Sequence, residues 1–316
     1  MGARPHEDGG GGLNVPRASL EQAVHGTLRR MRRALHRIRT YGRMIRFSHS
    51  VFALPFALTS AVLAMEGAVP WRALGWIVVA MVSARSAAMG FNRLADHAHD
   101  ARNPRTAGRE LPKGLLSRGE VALFVIASAG VFVFSASRLN PLCLALSPVA
   151  LAIVLGYSYT KRFTALAQVF LGLALAVAPV GAWLALRGRF AVEPLLLAGA
   201  VLVWVAGFDI LYACQDVAVD LQEGLRSIPA WLGVARALVV ARVLHGMTIV
   251  LLLALFAATP LHPLYLVGVA AVAALFAWQH SLVKPSDLSR AMQAFNVNAW
   301  VGVLYFSFTA AARYFR

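Results

Sequence analysis

PLLLAGAVLVWVAGFDILYACQDVAVD, residues 194–220, sets the class of this chain. Its first twenty residues carry one charged side chain, Asp209, and a helix of that length spans about 30 Å, the thickness of a bilayer's hydrocarbon core. The stretch then closes on two further aspartates, Asp216 and Asp220, at its polar end. A carboxylate inside so apolar a run is costly, so Asp209 is expected to face a bundle interior or a wet cavity rather than lipid.

Eight more apolar stretches flank it, at about 47–65, 71–91, 120–137, 141–158, 164–186, 238–258, 263–283 and 293–312. Of 316 residues, 59% are hydrophobic and 14% charged, too little charge to cover a soluble surface of this size. The expected fold is an all-α integral membrane bundle of nine transmembrane helices, occupying residues 41–316 as a single domain. Cys143 and Cys214 sit in or beside apolar stretches and read as small buried hydrophobes.

The net charge of +16 is distributed as topology, not as a nucleic-acid surface. Most Lys and Arg lie before the first stretch or in connections after even-numbered ones, so the amino terminus and those connections are expected to be cytoplasmic in a bacterial-type inner membrane. Residues 1–40 form a basic tail, glycine-rich and expected to be disordered at its start. Within it Leu28, Met31, Leu35 and Ile38 share one helical face among arginines, which fits either an amphipathic helix on anionic lipid or a loose tail. It does not read as a cleaved signal peptide, because the apolar run that follows is of spanning length. No nucleic acid and no obligate protein partner are expected; membrane lipid is.

Two connections on the cytoplasmic side are long, about 92–119 and 214–237, and long polar connections on a minimal bundle are where function concentrates. Of the seven aspartates, four stand there, Asp96, Asp100, Asp216 and Asp220, and a fifth, Asp209, sits in the apolar run just before the second connection. Asn92, Asp96 and Asp100 are spaced i, i+4, i+8; Asp209, Tyr212, Asp216 and Asp220 are spaced i, i+3, i+7, i+11; each set shares a helical face. The second pair of acids repeats the first 120 residues later, and each is followed by Arg, Pro and Gly (Arg109, Pro112, Gly114; Arg226, Pro229, Gly233), as an old duplication facing a shared cavity would leave. Lone aspartates commonly just mark water-facing helix ends. Five converging carboxylates would repel one another unless hard cations joined them, and magnesium, bound through a few carboxylates, implies a phosphorylated ligand. Arg105, Arg109, Lys161 and Arg162 are the basic residues placed to contact a diphosphate.

The stretch FNRLADHAHDARNPRTAGRELPKG, residues 91–114, resembles the first aspartate-rich motif of the UbiA prenyltransferases, and DILYACQDVAVDLQEGLRSIPAWLG, residues 209–233, resembles the second. YSYTKRFT at 157–164 is similar to the family's segment after the fourth span. Arg93 stands where the commonest form has Asp, and Glu110 where it has Pro. The wording is most similar to a branch of 4-hydroxybenzoate polyprenyltransferases that includes the futalosine-route menaquinone enzyme. The resemblance implies a UbiA-type bundle around a central cavity open to the cytoplasmic side, and Mg2+-dependent transfer of a polyprenyl chain from polyprenyl diphosphate to an aromatic acceptor. That acceptor is 4-hydroxybenzoate or a dihydroxynaphthoate, on the way to ubiquinone or menaquinone. It further implies that Asn92, Asp96 and Asp100 hold one metal, that Asp209, Asp216 and Asp220 hold the other, and that Tyr212 positions the diphosphate or stabilises the cation.

Arg43, Arg46, His49 and Asn298 are the candidates for the acceptor's side of the site, each with a structural alternative: topology for the arginines, a hydrogen-bonded or packing role for His49 and Asn298. His97 and His99 are expected to face solvent. Two other classes compete. A cation-coupled transporter also uses buried carboxylates, but at the midplane. Haem farnesyl or lipid-chain transfer would use the same acids.

Overall fold

The structure is a computed structural model, and it describes residues 31–32, 37–45 and 54–315. The chain divides into two units, Met1–Arg43 and Met44–Arg316. In the first, residues 37–43 are helical and Arg43 donates to Thr40. The remaining positions of the amphipathic stretch, apart from residues 31–32, lie outside the described residues, as do residues 47–53 of the first apolar stretch.

The second unit is a bundle of α1 (Leu54–Ala64), α2 (Trp71–Ala95), α3 (His97–Arg102), α4 (Arg118–Leu139), α5 (Pro141–Thr160), α6 (Ala167–Arg187) and α7 (Val192–Ala213). After a 3-10 turn, Cys214–Asp216, come α8 (Val217–Gln222), α9 (Ile228–Leu232), α10 (Val234–Ala258), α11 (Leu264–Leu282) and α12 (Ala291–Tyr314). Among the described residues, seven helices are long and apolar enough to cross a membrane: α2, α4, α5, α6, α7 with its extension to Gln222, α10 and α11. That is two fewer than the nine apolar stretches suggest. The described part of the first is the short apolar α1. The last, α12, is 24 residues long, but Gln293, Asn296 and Asn298 lower its hydropathy.

Local sequence explains where the helices start and stop. Ser117 and Glu120 form a capping box at the start of α4. Asn140 caps α5 ahead of Pro141, and its amide donates to Leu184 O at 2.7 Å, tying the start of α5 to the end of α6. Gly188, at φ 62°, ends α6 in the left-handed conformation that favours glycine.

Helix α7 is the axis of the unit: 13 of its 22 residues are buried, and it packs on α6, α10, α12 and α1. A Cβ on Gly172 of α6 would lie 2.2 Å from Leu202 O of α7, so only glycine allows this approach. Phe56, Trp204, Phe208, Tyr265 and Tyr305 form the aromatic spine of the core. Outward faces carry exposed Leu123, Ile126, Val250 and Trp300, the surface a lipid-facing bundle needs.

Candidate functional site

Helix α2 breaks at Asp96, which has φ −92° and ψ 3°, and resumes as α3 at His97. The backbone bonds Asp96 N to Asn92 O and Asp100 N to Asp96 O persist through the break. Asn92, Asp96 and Asp100 therefore keep a common face although the helix is not continuous. The second motif bends similarly, tightening to a 3-10 turn at Cys214–Asp216 before α8 carries Asp220.

Both motifs line one cavity of roughly 320 Å³. Asn92, Asp96, Asp100, Asp209, Tyr212, Asp216, Asp220, Arg105, Arg109 and Lys161 all face it. Lys161 Nζ reaches Asp96 Oδ2 at 2.8 Å, where Asn92 Nδ2 also donates at 3.2 Å. Arg109 Nη1 bonds both oxygens of Asp100, at 2.6 and 2.7 Å. Arg105 forks onto Asp216, with Nε 2.9 Å from Oδ1 and Nη2 2.6 Å from Oδ2, while its Nη1 donates to Tyr212 Oη at 2.7 Å. Burial opposes the Arg105 charge, yet the Asp216 and Tyr212 oxygens beside it more than offset this and raise its pKa above the ordinary arginine value. Asp220 accepts from Ser227 Oγ at 2.9 Å.

These pairings show how the site balances its charge: three of the five carboxylates face a Lys or Arg. Among the described residues, no three His, Cys, Asp or Glu side chains stand close enough to form a metal-holding group. Asp96, only 3% exposed, nevertheless keeps one carboxylate oxygen, Oδ1, without a hydrogen-bond partner.

The duplication is not carried into the pairing. Arg226, the counterpart of Arg109 in the sequence echo, instead donates to Phe163 O at 2.9 Å, and Ser227 takes the place beside Asp220. His99 is not solvent-facing: it lines the cavity and bonds Glu223 at 2.9 Å, with Arg102 on the same carboxylate. His97 is half-buried. Glu223 is held below the usual carboxylate range by the hydrogen bonds from His99 and Arg102.

Arg162 lies outside the cavity lining, contrary to its expected position. Its guanidinium covers the Tyr159 ring at 4.8 Å and donates to Ala95 O, because Lys161 already takes the inward side of that turn. Asn298 is fully buried and also outside the lining. Its Oδ1 accepts from Trp204 Nε1 at 2.9 Å and its amide donates to Phe295 O at 2.9 Å, so all its capacity goes to packing. Arg43 belongs to the other unit, and Arg46 and His49 lie outside the described residues.

Several further residues line the cavity beside the expected ones. Arg93, the departure from the family pattern, is 4% exposed, bonds Met44 O and Asn92 Oδ1, and places a cation where a carboxylate is usual. Arg85 on α2 and Tyr157 on α5 also line the cavity; an arginine inside an apolar stretch was the available signal for the first. Phe208 of α7 and Phe295 of α12 complete one wall. A second, apolar cavity of about 530 Å³ lies among α2, α4, α5, α6 and α7 and shares Arg85, Met89, Tyr157, Leu171 and Leu175 with the first.

Fold and site together define a multi-pass membrane protein with an acidic, arginine-lined cavity adjoining an apolar one. The chain belongs to the UbiA prenyltransferase family, whose profile matches residues 53–304, and it is a prenyl-transferring enzyme. It is 33% identical over 246 residues to a 4-hydroxybenzoate octaprenyltransferase of Nitrosospira multiformis, covering 78% of this chain and 84% of that protein. It is 32% identical to the one of Aliivibrio salmonicida, covering 84% and 92%. Among solved structures, the apo UbiA homolog of Aeropyrum pernix K1 superposes with a TM-score of 0.76 at 33% identity, over 83% of this chain and 96% of that one. A homolog from Archaeoglobus fulgidus bound to DMAPP and Mg2+ shares the fold, with a TM-score of 0.69 at 19% identity over 86% and 98% of the two chains.

Proposed function

We propose that this chain transfers a polyprenyl group from polyprenyl diphosphate to a hydroxy-aromatic carboxylate, 4-hydroxybenzoate or a dihydroxynaphthoate, with the aid of magnesium. The observation that carries this is the meeting of two aspartate motifs, 120 residues apart in sequence, on one cavity that also holds Arg105, Arg109 and Lys161 and adjoins an apolar cleft. An amphipathic diphosphate needs both halves. The relatives' names and the DMAPP- and Mg2+-bound homolog of the same fold support the substrate class.

The donor set suits a hard divalent ion: every candidate ligand offers oxygen, and Asp96 Oδ1 is buried with no partner of its own. Asn92, Asp96 and Asp100 would hold one magnesium and Asp209, Asp216 and Asp220 a second. When bound, magnesium supplies positive charge to the diphosphate oxygens of the leaving group. Arg105, Arg109 and Lys161 move from their carboxylates to the diphosphate as it enters. Tyr212, already hydrogen-bonded to Arg105, orients the phosphate end. The cleft lined by Ala80, Ala84, Val154 and Leu175 takes the prenyl tail and keeps water from the reacting carbon.

In the membrane we place nine crossings, counting α1 and α12, with the cavity and the basic tail of residues 1–40 on the cytoplasmic side of a bacterial-type inner membrane; the lysine and arginine distribution supports that orientation. The test is prenyl transfer by purified membranes given a prenyl diphosphate and each acceptor, with magnesium and with EDTA. Transfer to neither acceptor overturns the reading; transfer that survives EDTA overturns its metal dependence.

A further inference from the structure

We propose that Phe295 on α12 is a catalytic contact of the transfer, its ring face joining Tyr212 in the wall that stabilises the allylic cation as the diphosphate leaves. This rests on the function proposed above. Phe295 and Phe208 line the same cavity as the aspartates, although α12 carries none of the family's acidic motifs. The Phe295 ring lies 4.9 Å from that of Tyr212 and 5.6 Å from that of Phe208, which meets it edge-on at 85°.

The wall already meets a cation. Arg105 Cζ lies 5.2 Å from the Tyr212 ring centroid while its fork holds Asp216. One planar cation thus touches both the ring wall and the acidic motif that would face the diphosphate. The wall is also held in place: Asn298 donates to Phe295 O at 2.9 Å and is itself fixed by Trp204 Nε1. Preorganised groups of this kind stabilise developing charge without reorganising at the moment of reaction.

The chemistry calls for such a surface. The allylic C–O bond breaks with both electrons going to the diphosphate oxygen, leaving a cation delocalised over the allyl unit. A carbon of the acceptor ring supplies the electron pair for the new C–C bond, and the proton on that carbon passes to water, restoring aromaticity with no change of oxidation state. Until then the cation needs a partner that attracts it without bonding to it. A carboxylate or water oxygen would trap it, whereas a benzene face attracts through its quadrupole and has no lone pair.

The test replaces Phe295 in the full-length chain with mono-, di- and trifluorophenylalanine, which drain the ring quadrupole at nearly constant size. Membranes are assayed with magnesium, prenyl diphosphate and acceptor. We expect kcat to fall stepwise with fluorine number, by about tenfold over the series, which corresponds to about 1.4 kcal/mol. KM for the donor stays within about twofold, and Phe295→Trp retains activity that Phe295→Leu loses. The same series at Phe256, stacked on Tyr265 and outside the cavity, leaves kcat unchanged. A flat series at Phe295, or equal losses for the leucine and all three fluorinated variants, overturns the proposal while the enzyme assignment stands. An unsubstituted chain that transfers no prenyl group removes both.

Discussion

Arg105 holds Asp216 through two hydrogen bonds, at 2.9 and 2.6 Å, although 111 residues separate them. The pair joins the connection after α3 to the second acidic motif, and a guanidinium fork matches a carboxylate as well as it matches a phosphate. Arg105 is thus placed to exchange one anion for the other. Arg105→Lys keeps the charge and loses the fork, so KM for the prenyl diphosphate should rise about tenfold with kcat changed less. Steady-state kinetics on membranes check this; an unchanged KM would remove Arg105 from the diphosphate site.

Asp96 and Asp216 represent the two motifs. Asp96→Asn and Asp216→Asn should each lower kcat about a hundredfold or more while the protein stays folded in the membrane. Activity measured beside detergent size-exclusion profiles separates loss of chemistry from loss of fold.

Lys161 and Asp96 form a pair whose side chains are 31% and 4% exposed. Lys161→Met strands a buried carboxylate and should cost about 2 kcal/mol, below the usual figure for a fully buried pair because the lysine is partly wet. Adding Asp96→Asn should recover most of that loss. Thermal unfolding in detergent for the two single variants and the double variant gives the coupling directly.

Gly172 lets α6 lie against α7. A methyl group there would meet Leu202 O at 2.2 Å, a backbone atom that cannot swing aside. Gly172→Ala should therefore destabilise the bundle by about 2 kcal/mol or more, read as a lowered unfolding midpoint, while Gly156→Ala, where nothing stands within 4 Å, should be neutral or better.

Glu223, in the cavity lining, pairs with His99 and Arg102. Because its folded pKa is depressed, its contribution is complete at neutral pH and is lost only as pH falls through that lowered value. Amide exchange in residues 97–102 and 217–222 should rise there, and Glu223→Gln should remove the pH dependence.

Much of the site was legible because helical periodicity is local. The i, i+4 and i+7 spacings of Asp96, Asp100, Asp216 and Asp220 place them on shared faces whatever surrounds the helices, and even the break at Asp96 preserves that face. Asp209 and Arg85 announce themselves as charges inside apolar runs. Arg162 misled because its neighbour Lys161 has the same charge, and only the turn's geometry decides which of the two points inward.

By itself, then, the sequence determined the class: length, apolar runs and charge placement demand a helical membrane bundle, and motif spacing sets which faces carry acid. Those are properties of single helices and their solvent. Which base meets which carboxylate, that Phe295 from the last helix joins Tyr212, and that Asn298 packs against Trp204 depend on contacts between helices distant in sequence. Such contacts follow from the side-chain volumes of every helix at once, and no local pattern records them.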